Sequence, residues 1–387
     1  MTPGARVSAA IEVLDGWRDG MAAEQALTRW ARGARYAGSK DRAAVRDHVF
    51  DALRCKGSAA ALGGGETGRA LMIGLTRLKG GSTDDLFTGA GHAPLPLTAQ
   101  ETAGPGAHPD PVADIPDWTR AHFAYLGDQA EEVFAAFQER APLYLRVNRR
   151  KSAPQAAIAA LAADGVEACT VPGCDTALMV TGGGRKLRLG AAYLDGLVEP
   201  QDLSVQKAMA RVPWPRTGRI LDYCAGGGGK TLALLDLTDA GVTAHDAEPR
   251  RMVDLPNRAA RAGVSAAIVE TDEVTSMPAY DAVLCDVPCS GSGTWRRDPE
   301  AKWRLTPARL AQLIETQATI LDAASDLVGP GGMLVYMTCS LFEAENAAQI
   351  DGFCNRRPGW RVLGQGTDTP LTASDGFFHA WIQAPGK

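Results

Sequence analysis

Between Arg6 and about Leu78, apolar residues recur three and four positions apart, as in Val7, Ile11, Val13 and Leu14 and again in Val45, Val49, Phe50 and Leu53. That period lays one apolar stripe along an α-helix, so this stretch is predicted to be a small helical bundle. Gly63 to Gly65, Gly80-Gly81 and the Pro- and Gly-bearing run from Gly89 to Pro111 interrupt the pattern. They predict a long connection, with a first boundary between Gly89 and Pro116 and a helical domain over residues 1–115. Helical spacing returns over residues 129–137 and 153–163, on either side of Tyr144 to Asn148, which alternates as a strand does. Lys186 to Val198 has room for one or two short strands. Residues 116–191 are therefore expected to form a small α+β insert.

From about Ala192 the pattern changes again. Short apolar runs at Arg219 to Tyr223, Val242 to Asp246, Ala266 to Val269, Ala282 to Asp286 and Met333 to Thr338 alternate with helical spacing, one helix starting at Gly229. This is the signature of a doubly wound α/β domain, here residues 192–387. Pro256 falls inside the second helical stretch and should kink or split it.

Composition narrows the class. The chain has 387 residues, 45% of them apolar, enough for two or three domains with a large core. The first twenty-five residues mix Arg6, Glu12, Asp15, Arg18 and Asp19 with short apolar pieces, which fits neither a signal peptide nor a membrane span. A cytoplasmic protein with no membrane partner is expected. Eight cysteines show no Cys-x-x-Cys spacing, so neither a structural zinc nor a disulfide framework is expected. The net charge of −5 argues against binding nucleic acid by bulk electrostatics, but residues 1–80 hold thirteen Lys or Arg against eight Asp or Glu. Together with Arg146, Arg149, Arg150 and Lys151 they offer local phosphate contacts, or simply solvated helix faces.

Candidate chemistry lies at the ends of the predicted strands, where open α/β sheets hold their ligands. After Tyr223 comes Cys224-Ala225-Gly226-Gly227-Gly228-Gly229-Lys230, a turn whose glycines allow close approach of a ligand to the backbone. Asp246 ends the next strand, twenty positions after Gly226, where an acidic residue accepts from a ribose diol. A phosphate-binding P-loop would need glycine at the position of Cys224, which leaves a nicotinamide or S-adenosylmethionine as the cofactor. Asp272 follows the third strand, placed to accept from an adenine amine or to cap a helix before Val274.

Two thiols complete the set. Cys289 lies in Asp286-Val-Pro-Cys289 and Cys339 in Thr338-Cys339-Ser340, each just past an apolar strand. Cytosine C5 is too weak a nucleophile for a sulfonium methyl until a thiolate adds at C6, and the adduct then needs an acid near N3 and a means of expelling the sulfur. Cys339, Cys289 and Asp286 supply those groups. Beyond Cys289, Trp295 and Trp303 are interleaved with Arg296, Arg297, Lys302 and Arg304, a pattern that suits either an unstacked RNA base or a loop anchored in the core.

Taken in order, Val198-Glu-Pro-Gln-Asp-Leu-Ser-Val-Gln206, Ile220 to Thr231, Leu284 to Thr294, Tyr336-Met-Thr-Cys-Ser-Leu341 and Asp375-Gly-Phe-Phe378 resemble the NOL1/NOP2/Sun family of RNA 5-methylcytosine methyltransferases over roughly residues 143–383. The likeness is greatest to the bacterial 16S rRNA methyltransferase B group, because Ser39 to Arg46 resembles part of its NusB-like amino-terminal domain. The resemblance implies a class I, Rossmann-like fold with a seven-stranded mixed sheet, behind an all-α NusB-like domain that binds RNA and a small α+β subdomain. It implies S-adenosyl-L-methionine as cofactor, held by Cys224 to Lys230, Asp246, Asp272 and Asp286. It assigns addition at C6 to Cys339 and help with product release to Cys289, and it implies a monomer acting on 16S rRNA or a small-subunit assembly intermediate. A transfer-RNA substrate, or a scaffold that binds RNA without turnover, stays open. A DNA cytosine enzyme would not need the second thiol, and an amino-methylating enzyme would carry an aromatic residue at position 289. Three departures stand out: Gly227 replaces the family's proline, which predicts a looser cofactor turn; Pro256 interrupts a helix; and the net charge is acidic.

Overall fold

A computed structural model describes residues 1–386. The chain divides into two compact units. The first is Met1–Arg140 together with Trp295–Leu305, and the second is Ala141–Thr294 with Thr306 onward.

The first unit is helical, as the period-3.6 pattern predicts: α1 (Pro3–Arg18), α2 (Ala23–Gly33), α3 (Ser39–Arg54), α4 (Lys56–Gly63) and α5 (Gly68–Leu78). Thr2 and Thr67 cap α1 and α5 by accepting from Ala5 N and Ala70 N. The stripe residues Val7, Leu14, Val45, Val49 and Leu53 meet Leu71, Met72 and Ile73 in one buried core. The expected boundary near residue 115 falls inside this unit, because the helix Ala130–Phe137 buries Val133, Phe134 and Phe137 within it. The same unit takes in the tryptophan-bearing segment. Trp295 is fully buried, its ring 5.8 Å from those of both Phe123 and Phe137, and Trp303 donates to the Leu53 carbonyl. Buried Lys302 donates to the Arg54 carbonyl, and burial lowers its pKa to about 8. Of the two readings of this segment the structure therefore supports anchoring in a core and corrects base stacking by Trp295, whose ring faces are covered.

The second unit holds two sheets. In the smaller, β1 (Leu143–Val147), β2 (Glu167–Val171), β3 (Cys174–Gly182) and β4 (Val198–Pro200) run antiparallel in the order β2-β3-β1-β4. The β2–β3 hairpin is absent from the periodicity reading: the apolar residues of β3 run together from Ala177 to Val180 instead of alternating, and β2 is largely exposed. Lys186 to Val198 forms a 3₁₀ turn and a short helix before β4, with one strand at most. Arg146, Arg149, Arg150 and Lys151 each make internal contacts. Arg146 and Arg149 pair with Asp236 at 3.1 and 3.6 Å, Arg150 donates to the Leu235 and Thr238 carbonyls, and Lys151 to those of Asp195 and Arg261. These contacts fasten the end of β1 to its neighbours, while the Arg149 and Arg150 side chains stay 51% and 43% exposed.

The larger sheet contains β5 (Arg219–Asp222), β6 (Gly241–Ala244), β7 (Ala267–Ile268), β8 (Tyr280–Asp286), β9 (Val328–Thr338), β10 (Arg361–Asp368) and β11 (Phe377–Gln383). Their order is β10-β11-β9-β8-β5-β6-β7, with β9 to β7 parallel and β11 antiparallel to both β9 and β10, so the sheet is mixed and seven-stranded as the resemblance implies. The strands β8 and β9 are buried on both faces, with Val283, Cys285, Leu334 and Tyr336 in one core and Ala282, Leu284, Val335 and Met337 in the other. Strand order reverses at β5, flanked by β6 and β8, which makes its carboxyl end the crevice of the domain. Pro256 sits in the first turn of the helix Leu255–Ala262, behind a separate 3₁₀ turn Pro249–Met252. The stretch is split, and the proline occupies a place where no backbone donor is needed. Among the described residues no helix is long and apolar enough to cross a membrane.

Candidate active site

The glycine turn leaves β5 at Asp222 and enters the helix Gly229–Leu237. Gly226 and Gly228 take φ of +52° and +81°, which side chains rarely adopt, and a Cβ on Gly228 would lie 2.3 Å from Leu255 Cδ1. Asp246, just past β6, is buried and accepts from Gly226 N and Glu248 N, both at 2.9 Å, with Arg251 3.3 Å away. Its carboxylate thus fixes the turn and keeps a second lone pair on Oδ1, while Oδ2 also faces Arg251. Gly227 lacks a positive φ, and its carbonyl accepts from Arg258, which is held in turn by Glu199 at 2.9 Å. Gln201 donates to Gly229 O at 3.1 Å. The Val198-to-Gln206 motif therefore buttresses the turn through Glu199 and Gln201, and the expected loosening at Gly227 is opposed by this strap.

Lys230 crosses from the turn to the end of β8 and binds Asp286 at 2.6 Å. Burial opposes its charge, but the Asp286 carboxylate outweighs this and raises the Lys230 pKa. Beneath them Asp222 is fully buried and accepts from Thr231 Oγ1 at 2.6 Å; burial raises its pKa to about 7. Cys224 and Ala225 border the turn, and burial pushes the Cys224 thiol upward, away from nucleophilic use. Asp272 stands apart. It is exposed in the first turn of the helix Thr271–Val274, whose cap is Glu270 in a box with Glu273, so the capping alternative belongs to a neighbouring residue.

The two thiols meet. The β8/β9 register sets Asp286 opposite Met337, so the turns three and two residues further on bring Cys289 Sγ and Cys339 Sγ within 3.3 Å. The hydrogen bond to Cys339, then burial, raises the Cys289 pKa well above that of a free thiol. Cys285 is enclosed in the core and plays no part here.

Both turns are fastened by residues that sequence reading passed over. Glu345, fully buried, accepts from Ser290 N at 2.8 Å, from Gln317 Nε2 at 2.9 Å and from the hydroxyls of Ser290 and Ser340. Asn346 donates to Ser340 O at 2.9 Å and accepts from Thr338 Oγ1 at 2.6 Å. Ser292 Oγ lies 2.9 Å from Ser340 Oγ and accepts from Leu341 N. Their only trace in the sequence is a polar pair, Glu345-Asn346, shortly after Cys339, and a glutamine inside the otherwise amphipathic helix Pro307–Ser325.

Comparison with known proteins bears on family and fold. Residues 213–381 match the family described as 16S rRNA methyltransferase RsmB/F, and residues 115–185 match the ferredoxin-like domain of RsmF/B-like methyltransferases. The chain belongs to the RsmB/F methyltransferase family. Its RsmB/F relatives include the ribosomal RNA small subunit methyltransferase B of Klebsiella pneumoniae, 34% identical over 268 residues, covering 65% of this chain and 62% of that protein. That of Photorhabdus laumondii is 30% identical over 281 residues, covering 68% and 65%. The alignments thus span less than two thirds of these relatives. Among solved structures, PH0851 covers 99% of both chains with a TM-score of 0.74 at 22% identity. NSun6 from Pyrococcus horikoshii with SFG covers 70% of this chain and all but 1% of its own, with a TM-score of 0.61 at 18% identity. Both establish the fold of this RsmB/F chain.

Proposed function

We propose that this RsmB/F chain transfers a methyl group from S-adenosylmethionine to C5 of a cytosine in RNA, with 16S rRNA or a small-subunit assembly intermediate as substrate. The observation that carries the reading is the Cys289–Cys339 pair at 3.3 Å, next to a sheet end that also holds Asp286 paired to Lys230. The residues fit the cofactor. A turn with two left-handed glycines brings backbone close to a ligand, and the Asp246 carboxylate stands at the end of the adjacent strand with acceptor capacity left. Cys224 to Lys230 and Asp246 would hold it, with Asp286 at its edge and Asp272, exposed on the far turn, as the outermost candidate. When bound, S-adenosylmethionine supplies an electrophilic methyl on sulfur.

Cys339, as thiolate, forms a bond to C6, the C5=C6 electron pair moves into the ring, and N3 takes a proton lent by Lys230 through Asp286 and returned as C5 is methylated. C5 is then able to take the methyl group. Once Cys339 is a thioether it no longer takes the hydrogen bond that most raises the Cys289 pKa, and Cys289 gives its proton to solvent water and becomes the thiolate. Cys289 takes the C5 proton, the C5–H pair re-forms C5=C6, and the C6–S pair returns to Cys339. The target cytosine must be unstacked for this, at a cost of a few kcal/mol. The amino-terminal helices act as the NusB-like RNA-binding domain of the reading, and the chain works as a monomer.

The test is incubation of 16S rRNA, small-subunit particles and transfer RNA with methyl donor and wild type, Cys289→Ala or Cys339→Ala. Denaturing gels and mapping of 5-methylcytosine follow. Wild type methylates ribosomal RNA, Cys289→Ala traps a covalent protein–RNA adduct, and Cys339→Ala gives neither. Methylation of transfer RNA alone would move the substrate, and no product or adduct from any protein would leave a scaffold that binds RNA without turnover.

A further inference from the structure

Glu345 belongs to neither cysteine turn, yet it is bonded to both and has no cationic partner among the described residues. A buried carboxylate is costly to keep, and four donors converging on it fix every group they belong to. The two turns depend on it unequally. The Cys339 turn is held independently of Glu345 by Thr338 paired with Phe378 across β9 and β11, by Gly293 N on Cys339 O at 3.0 Å, and by Asn346 on both Thr338 and Ser340. Past Val287, the Cys289 turn is held chiefly through Glu345, which takes both Ser290 N and Ser290 Oγ and anchors the Gln317 that donates to the Pro288 carbonyl at 3.0 Å. Its other ties are longer: Ser290 Oγ to Ser340 Oγ at 3.2 Å, Ser292 N to Ser290 Oγ at 3.3 Å and Gln349 to Gln317 at 3.4 Å. The Cys339 turn loses one bond with Glu345, that of Ser340, so removing Glu345 loosens the Cys289 turn more than the Cys339 turn.

We propose that Glu345 is the positioning residue that holds Cys289 for the release half of the reaction. The inference rests on the two-thiol reading above. In that half, the C5 proton moves to the Cys289 thiolate, its electron pair forms C5=C6, and the C6–S bond breaks with its pair returning to Cys339. A displaced Cys289 leaves addition and methyl transfer intact and stalls this step. Glu345→Gln keeps the shape but turns an amide N–H₂ towards donors, so it unseats the Cys289 turn without opening a cavity.

Glu345→Gln, Ser290→Ala and Cys289→Ala are compared with wild type for adduct on denaturing gels, turnover, methyl-donor Kd and melting temperature. Expected for Glu345→Gln is an RNA adduct like that of Cys289→Ala, turnover lower by about tenfold or more, as displacement of a reacting group causes, and donor Kd unchanged. Ser290→Ala shows the same signature more weakly. Adduct with Cys289→Ala but with neither Glu345→Gln nor Ser290→Ala overturns the proposal, as does a parallel loss of donor binding and turnover, the mark of a merely structural role. No adduct with Cys289→Ala removes the two-thiol reading itself, and the proposal with it.

Discussion

Lys230 and Asp286 close a 2.6 Å ion pair from the glycine turn to the end of β8, linking the cofactor crevice to the strand that carries the first cysteine turn. Asp286 is the more open partner, its side chain 31% exposed against 13% for Lys230. The pair holds a carboxylate at the sheet end in one orientation.

Lys230→Met should leave that carboxylate without its partner. We expect a loss of about 1–3 kcal/mol in urea unfolding and a turnover fall of at least about tenfold, with Lys230→Arg recovering part of both. Turnover unchanged in Lys230→Met would show that the pair has no part in the chemistry.

The glycine turn predicts opposite signs at adjacent positions. Gly228→Ala places a Cβ in a left-handed conformation against Leu255 and should cost about 1–3 kcal/mol while weakening donor binding. Gly227→Ala meets only the tip of Arg258 at 3.1 Å and should stabilise by about 0.4–1 kcal/mol through the unfolded chain. Urea unfolding of both variants and donor titration check the contrast.

Asp222 makes stability depend on pH. Burial raises its pKa from 3.8 to about 7 in the folded state, so folding favours the protonated form. The stability it contributes is fully present below the unfolded pKa near 4 and is lost as pH rises through about 7. Asp222→Asn should flatten the fall in melting temperature between pH 5 and 8, and an unchanged slope in that variant would place the dependence elsewhere.

Trp295 anchors the second segment of the helical unit. Trp295→Ala empties a fully buried site between Phe123 and Phe137 and should cost about 3–5 kcal/mol, read as a lower melting temperature of the far-ultraviolet signal. Trp303→Ala, at a partly buried ring, should cost less.

The order of apolar runs, the glycine turn, Asp246 and the two strand-end cysteines were all legible in the residues, because period, strand-end placement and positive-φ glycines are local properties. The β2–β3 hairpin was not, since its apolar residues run together from Ala177 to Val180 and do not alternate. Nor could the spacing of residues tell that Trp295, 155 positions beyond Arg140, returns to the helical core. Spacing likewise left the Trp295-to-Arg304 segment between an RNA base and a core anchor, and Arg146 to Lys151 between phosphate contacts and solvated faces; the fold supplied the carbonyls and carboxylates they meet.

By itself, the sequence determined the class of each element and the stock of reactive groups, because helix and strand periods and the chemistry of thiols and carboxylates belong to the residues. Only tertiary structure decided that Cys289 and Cys339 stand 3.3 Å apart, that Lys230 answers Asp286, and that Glu345 joins two turns 50 residues apart. Those relations come from the parallel register of β8 and β9 and from buried polar groups that must find partners wherever the chain brings them, which no local pattern encodes.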